Sequence, residues 1–248
     1  MGNDILLVSA TINEVSDLLK VSEITSETKL SANKVILSAV VNKINYDLII
    51  TGPSIINTAH GLTIALEHTN PKIIIQAGYG GLFKKATLKL GDIVIVNKEI
   101  YIHTGIESDS NHLKPDALPF ELIQDKPATK SGIYCFTDKY TDLAYQILRT
   151  TSLARECFIA KGPGITVSTI TSGQKTLSGL SKSFSPLVEA MEGAALAHIA
   201  LLYNLPFIEI RAGSNFAGER DKSKWNTKLA SKRLSLALIT IMKNILLN

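Results

Sequence analysis

The sequence predicts an α/β fold in a single domain, and three observations carry that expectation. Short apolar runs rich in β-branched residues alternate with segments of helical spacing along the whole chain. The 248 residues suffice for one sizeable core. No Pro/Gly/Ser-rich linker, charge block, repeat or low-complexity segment divides them, so one domain is favoured over two small ones.

The elements follow in order. Residues 5–10 (ILLVSA) read as the first strand and residues 13–20 as a helix. Strands are expected at 34–41 and 46–51, then a helix at 55–68, then strands at 72–77 and 92–102. Residues 107–132 are polar and proline-bearing and read as a long loop or lid. A helix at 139–150 precedes strands at 157–160, 165–170 and 187–190. Glu192 then opens a small-residue helix over 193–203, followed by a strand at 206–211. The last helix, 227–247, carries Leu229, Leu234, Leu236, Leu238, Ile239, Ile241 and Met242 at helical spacing and should cover one sheet face.

Composition excludes several classes. Lys+Arg of 26 against Asp+Glu of 22 leaves +4, and the basic residues are scattered, so no nucleic-acid partner is expected. Cys135 and Cys157 form no metal-type pair and are too few for a disulfide scaffold, which fits a reduced, cytoplasmic setting. The N-terminus lacks a basic n-region, its apolar run is too short for a signal peptide, and no run is long enough to span a bilayer. His60, His68, His103, His112 and His198 make no ligand-spaced pair, so no metal is expected.

Ligands of α/β sheets collect beyond the carboxyl ends of strands. That rule selects Glu14, Gly52-Pro53-Ser54, Gly78-Tyr79-Gly80-Gly81, Thr169 and Thr171, Met191 and Glu192, and Arg211, Ser214 and Asn215. Either glycine-bearing segment could aim backbone N–H groups at a ligand, but neither matches a Walker or dinucleotide fingerprint. Each alone reads as a tight turn, and Pro53 removes a donor. Glu14 alone reads as a carboxylate in the first turn of a helix. Glu192 is more informative. Met191, Gly193, Ala194 and Ala195 surround it with small apolar groups, where a carboxylate is costly unless hydrogen-bonded. Two ribose hydroxyls would meet that need. Arg211 reads either as a partner of Glu192 or Glu14 or as a ligand contact, and Trp225 as a packing anchor.

Together these residues resemble the purine nucleoside phosphorylase and nucleosidase superfamily over nearly the whole chain. Ala10-Thr11-Ile12-Asn13-Glu14 is similar to the segment that delivers the catalytic carboxylate in methylthioadenosine/adenosylhomocysteine nucleosidases. Gly78-Tyr79-Gly80-Gly81 resembles the glycine loop, and Leu90-Gly91-Asp92-Ile93-Val94 the strand entry after it. Met191-Glu192-Gly193-Ala194-Ala195 resembles the ribose-binding element, and Arg211-Ala212-Gly213-Ser214-Asn215 the segment that holds the purine. Gly218-Glu219-Arg220-Asp221 with Trp225 resembles the futalosine hydrolase branch.

The resemblance implies a nucleoside phosphorylase-like fold, a central mixed twisted sheet flanked by helices, and a homo-oligomeric enzyme without a cofactor. It implies catalytic roles for Glu14, activating water, and Asn215, assisting the purine. It implies substrate contacts from Gly78, Tyr79, Gly80, Met191, Glu192, Arg211 and Ser214. The family's adenine-releasing nucleosidases carry Asp at the position of Asn215; an amide NH₂ can donate to N7 or O6 of a 6-oxopurine. The implied reaction is hydrolysis of futalosine to hypoxanthine and dehypoxanthine futalosine in menaquinone biosynthesis. The alternatives are a methylthioadenosine-type nucleosidase, a purine nucleoside phosphorylase and a non-catalytic nucleoside binder. Ile75-Gln76-Ala77 lacks the phosphate-holding arginine of hexameric phosphorylases, which favours water as the nucleophile. Tyr79 replaces a small residue, and Thr171-Ser172-Gly173 lacks the usual stacking aromatic, leaving Phe136 or Phe216 as substitutes. His103, Arg220 or a lysine of residues 107–132 would receive the acidic tail of futalosine.

Overall fold

The structure is a computed structural model and describes residues 2–107, 114–136 and 139–246. His112, Leu247 and part of the expected lid lie outside the described residues. The first strand, β1 (Ile5–Ser9), is wholly buried and shows the alternation that builds the core. Ile5 and Leu7 point into one apolar cluster, and Leu6 and Val8 into another on the opposite face. Helix α1 (Ser16–Lys20) follows, then β2 (Glu23–Lys29), β3 (Val35–Val41), β4 (Ile44–Ile50) and α2 (Ile55–His68). The middle of the chain forms β5 (Ile73–Leu82), β6 (Ile93–Tyr101), β7 (Ile133–Cys135), α3 (Lys139–Arg149) and α4 (Leu153–Glu156). Then come β8 (Ile159–Thr166), α5 (Gln174–Phe184), β9 (Val188–Ala190), α6 (Gly193–Leu202), β10 (Phe207–Phe216) and α7 (Thr227–Ile245).

The ten strands among the described residues join one mixed sheet, as expected for this fold class. Its order is β10-β6-β8-β9-β5-β1-β4-β3-β2, with β7 beside β6 and a further pairing of β10 with β5. That extra pairing bends five strands into a closed ring, leaving β1 to β4 as an open wing. Leu18 of α1, Ala144 and Leu148 of α3, and the apolar stripe of α7 fill one face. Leu62 and Ala65 of α2 pack with Leu196 and Ala197 of α6 on the other.

The strand that positions the site is β5. Its first half, Ile73–Gln76, pairs with β1, whereas Gly81 and Leu82 pair with β9 on the same edge. Between them the edge changes neighbour, and the ends of β1 and β9 splay apart there. Gly78–Gly81 is therefore not a turn after a strand. It continues β5 along β10, whose register runs from Phe207↔Ile74 to Phe216↔Leu82. Glycine is needed at Gly78 for close approach: an added Cβ would lie 2.7 Å from Arg211 Nη1 and 2.8 Å from Glu14 Oε1.

Other differences have similar causes. β8 is one strand rather than two, because Gly162-Pro163-Gly164 stays in register with β6 across a bulge at Val96/Lys98. β10 runs on to Phe216, placing Arg211, Ser214 and Asn215 inside a strand rather than at its end. β2 was not expected, since its residues EITSETK are all exposed and form an edge. Helix α5 lies in a polar segment whose only fully buried residue is Leu180.

Candidate active site

A cavity of about 180 Å³ opens where β5 changes neighbour. Thr11 and Glu14 wall it from the end of β1, Tyr79–Gly81 from β5, Glu189–Glu192 from β9, and Ser214 and Asn215 from β10. Gly218–Arg220 and Trp225 close one side. The chain thus brings Glu14, Tyr79, Gly80, Met191, Glu192, Ser214 and Asn215 onto one cavity. Gly78 and Arg211 stand just behind its wall.

Glu14 sits in a tight turn, with its N–H donating to Thr11 O at 3.3 Å. Its Oε2 accepts from Thr11 N at 2.8 Å and from Ser9 Oγ and Thr11 Oγ1 at 3.1 Å each. Its Oε1 accepts from Tyr79 N at 2.9 Å. Burial nonetheless pushes its pKa above the ordinary carboxylate value, with the Tyr79 N–H opposing and the Glu192 charge adding to the rise. A desolvated carboxylate with a raised pKa is a stronger base than a surface one, which suits proton abstraction from water.

Glu192 occupies the N-cap position of α6 without capping it. Its side chain turns back instead. Oε2 pairs with Arg211 Nη1 at 3.1 Å and accepts from Met191 N at 3.2 Å. Oε1 accepts only from Ser54 N at 3.2 Å and so keeps a lone pair for a ligand. Ser54 is aimed there by a positive φ of 100° at the start of α2, whose Asn57 N–H its hydroxyl caps. The Gly52-Pro53-Ser54 segment therefore does more than turn the chain.

Arg211 is 1% exposed, and its role is a partner role. Its Nε donates to Glu209 Oε1 at 2.8 Å. Burial alone would lower its pKa, but Glu209 and Glu192 together hold it above the ordinary value. Glu209 in turn meets Glu99, and Thr166 Oγ1 donates to Glu99 Oε1 at 2.6 Å. Two carboxylates can hydrogen-bond only if one carries a proton. Burial first, and the charge of Glu209 second, raise Glu99 well above its ordinary value, so Glu99 holds it. One guanidinium thus ties Glu192 in the cavity wall to the Glu209 and Glu99 carboxyls behind it. Glu99 and Glu209 had no signal in the sequence beyond lying on apolar strands.

The amide of Asn215 is clamped. Ser214 Oγ donates to its Oδ1 at 2.8 Å, and its Nδ2 donates to Phe216 O at 3.0 Å. Both contacts fix which end is NH₂, leaving one N–H for the cavity.

Three expectations need correction. Phe136 packs edge-on against Phe207 in the core, and Phe216 packs against the same apolar cluster with Lys84 Nζ over its ring; neither lines the cavity. Trp225 does line it, held by Nε1 donating to Glu219 O at 3.2 Å, with Arg220 over its ring. His103 does not line it; its Nδ1 accepts from Ser168 N at 3.4 Å beside a neighbouring cavity that shares Ile170 and Thr171 with the first. Gln76 is buried away from the cavity, in register with Glu209. Arg220 is the only lysine or arginine among the described lining residues. No group of three or more His, Cys, Asp or Glu among the described residues is placed to hold a metal, and no described helix is long and apolar enough to cross a membrane.

Comparison with known proteins places this geometry. The chain is 26% identical over 203 residues to the 5'-methylthioadenosine/S-adenosylhomocysteine nucleosidase of Oceanobacillus iheyensis, covering 80% of this chain and 81% of that one. A Helicobacter pylori methylthioadenosine nucleosidase variant with 5'-methylthioadenosine in its active site superposes with a TM-score of 0.81 at 16% identity, covering 98% of this chain and 100% of that one. The futalosine hydrolase of Helicobacter pylori strain 26695 superposes with a TM-score of 0.80 at 15% identity, covering 98% and 99%. A family model matches residues 4–243, so a carboxylate-walled cavity on a mixed, partly closed sheet takes its place in a known group: the chain belongs to the phosphorylase superfamily.

Proposed function

We propose that this protein is a nucleosidase that hydrolyses the N-glycosidic bond of a 6-oxopurine nucleoside, with futalosine as the substrate and hypoxanthine as the released base. The observation that carries the choice of base is the clamped Asn215 amide. With Oδ1 engaged by Ser214, the group facing the cavity is a donor. A donor suits N7 and O6 of hypoxanthine, both acceptors, and the negative charge that develops on the departing base.

The remaining residues supply the rest of the reaction. Glu14 accepts a proton from water, whose oxygen adds to the anomeric carbon as the C–N bond breaks; the electron pair leaves with the purine, which takes up one proton, balancing the one that Glu14 gains and later releases. Glu192 takes a ribose hydroxyl on the free lone pair of Oε1, with Met191 against the sugar. Arg211 holds Glu192 in place from behind. Water is favoured over phosphate because Arg220 is the one cation among the described lining residues and Arg211 is committed to two carboxylates.

A methylthioadenosine-type nucleosidase is the second reading, favoured by the Oceanobacillus relative. Exchanging Asn215 for Asp separates the two. Asn215→Asp should move the preference between inosine and adenosine toward the 6-amino substrate by about 10-fold or more, the scale of one buried hydrogen bond to charge. An unaltered ratio would remove Asn215 from base recognition.

A further inference from the structure

Two buried carboxyls behind the cavity have no part in the mechanism above. Glu209 on β10 and Glu99 on β6 are each 1% exposed, and both point at the start of α6. A Cβ added at Gly193 would lie 2.5 Å and 2.6 Å from the two Glu209 oxygens and 2.7 Å from Glu99 Cδ. The two side chains thus converge on one point, beside the residue that follows Glu192. Glu209 Oε1 is taken by Arg211 Nε, whereas its Oε2 is buried and accepts from no described amide, hydroxyl or guanidinium. The proton on Glu99 is the donor that fits there.

The pair grips Glu192 from two directions. Through Arg211 it reaches the side chain, since Nε binds Glu209 Oε1 at 2.8 Å and Nη1 binds Glu192 Oε2 at 3.1 Å. Through Thr166 it reaches the backbone, because Thr166 Oγ1 donates to Glu99 Oε1 at 2.6 Å and accepts from Ala194 N at 2.8 Å. The charge on the pair decides how well this works. One negative charge shares Arg211 between Glu209 and Glu192. Two would draw the guanidinium off Glu192, and none would replace a charge-assisted bond by a neutral one about half as strong.

We infer that Glu209 and Glu99 are positioning residues for the sugar: sharing one proton, and so one negative charge, they fix Arg211 and the first turn of α6 so that Glu192 Oε1 meets a ribose hydroxyl. The inference rests on the nucleosidase reading and goes beyond it by giving a shared charge to two residues outside the cavity lining. That charge can sit on either carboxyl. Without the Glu209 carboxylate, Glu99 ionises, because the like charge that opposed it is gone and Arg211 remains.

The test measures kcat/KM for whichever of futalosine and methylthioadenosine the wild type cleaves, and calorimetric binding of the released base, which has no sugar. Glu209→Leu, with no acceptor for Arg211 Nε, should lower kcat/KM by about 10- to 100-fold. Glu209→Gln should rescue it to within about threefold of wild type: the amide oxygen accepts from Arg211 Nε, and the NH₂ donates to a Glu99 that now carries the charge. Removing that carboxyl too, by combining Glu99→Gln with Glu209→Gln, should lower kcat/KM at least about 10-fold again. Affinity for the free base should stay within about threefold throughout. Infrared spectra read the proton itself. A carboxylic acid C=O band lost in Glu99→Gln should be lost in Glu209→Gln as well, where Glu99 is untouched.

A Glu209→Gln variant that keeps that band, or that is as impaired as Glu209→Leu, overturns the shared charge without recourse to the double variant. A double variant within about threefold of wild type, or one whose affinity for the free base falls in step with kcat/KM, overturns the positioning role and leaves the nucleosidase reading standing. A wild type that releases base from neither nucleoside overturns that reading, and the positioning role with it.

Discussion

Replacing Glu14 by Gln separates chemistry from stability in a way the geometry lets one calculate. The carboxylate receives three donors on Oε2, from Ser9 Oγ, Thr11 N and Thr11 Oγ1, and one on Oε1, from Tyr79 N. A glutamine has only one carbonyl oxygen. If that oxygen faces Thr11, its NH₂ meets the Tyr79 N–H head-on; if it flips, the Thr11 N–H loses its acceptor. Either way one backbone N–H goes unmade, at about 1–3 kcal/mol. Part of this is returned because a charge that burial disfavours is gone. The net loss is then at most about 3 kcal/mol, against a total stability of about 5–15 kcal/mol, so the variant stays folded. At about 2–4 °C per kcal/mol for a chain of this size, Tm should fall by no more than about 12 °C.

Turnover should suffer far more. Losing a general base costs about 10²–10⁴ in rate, or roughly 3–5 kcal/mol of barrier at 1.36 kcal/mol per decade. Single-turnover release of base from futalosine, together with calorimetric binding of hypoxanthine, measures both sides. The expected result is kcat down by at least about 100-fold, with base affinity within about threefold of wild type. A variant whose kcat stays within about threefold would refute Glu14 as the base.

Further predictions follow from the same network. Gly78→Ala places a methyl 2.7 Å from Arg211 Nη1 and 2.8 Å from Glu14 Oε1; both neighbours are held, so the carboxylate must shift. The expected cost is about 1–3 kcal/mol of stability and about 10- to 100-fold in kcat, and unchanged kinetics would show that Glu14 has slack. Turnover should fall as pH drops through the Glu14 pKa, at a midpoint above the ordinary 4.5, because burial raises it and the base acts only when ionised; a pH–rate profile whose acid limb survives in Glu14→Gln would assign the limb elsewhere. Glu99 holds a proton in the folded protein that the unfolded chain releases near 4.5. Its contribution to stability is therefore complete below that pH and is lost as pH rises from there through its raised folded value. Glu99→Gln, which can still donate to Glu209 and accept from Thr166, should flatten this dependence in denaturant titrations at several pH values, whereas Glu99→Leu, unable to do either, should destabilise the fold.

The parts of the fold that were legible were those written in hydrophobic period. β1, β3, α2 and α7 each bury a face whose spacing stands out along the chain. Strand β2 was not, because a fully exposed edge strand needs no apolar alternation. Gly78–Gly81 misled for a related reason. Glycine commonly marks a turn, but here it marks a strand squeezed between Glu14, Arg211 and Val188, and spatial crowding leaves no local pattern. In the site, Glu192 announced itself because small residues follow it. Glu189, three positions earlier, did not: on a short strand it looks like any alternating polar residue, and its place in the cavity wall exists only once β5, β9 and β10 are assembled. Trp225 could have been read from its place after Gly218-Glu219-Arg220-Asp221, had that loop been taken as part of the cavity wall.

The most direct test of the account is chromatographic analysis of products from futalosine and the purified protein, run in phosphate-free buffer and again with phosphate. The account predicts free hypoxanthine in both, at the same rate, from an active site in which Glu14 activates water and Asn215 assists the base. Failure to release hypoxanthine from futalosine, with adenine released from methylthioadenosine, or release from inosine only when phosphate is present, would contradict it.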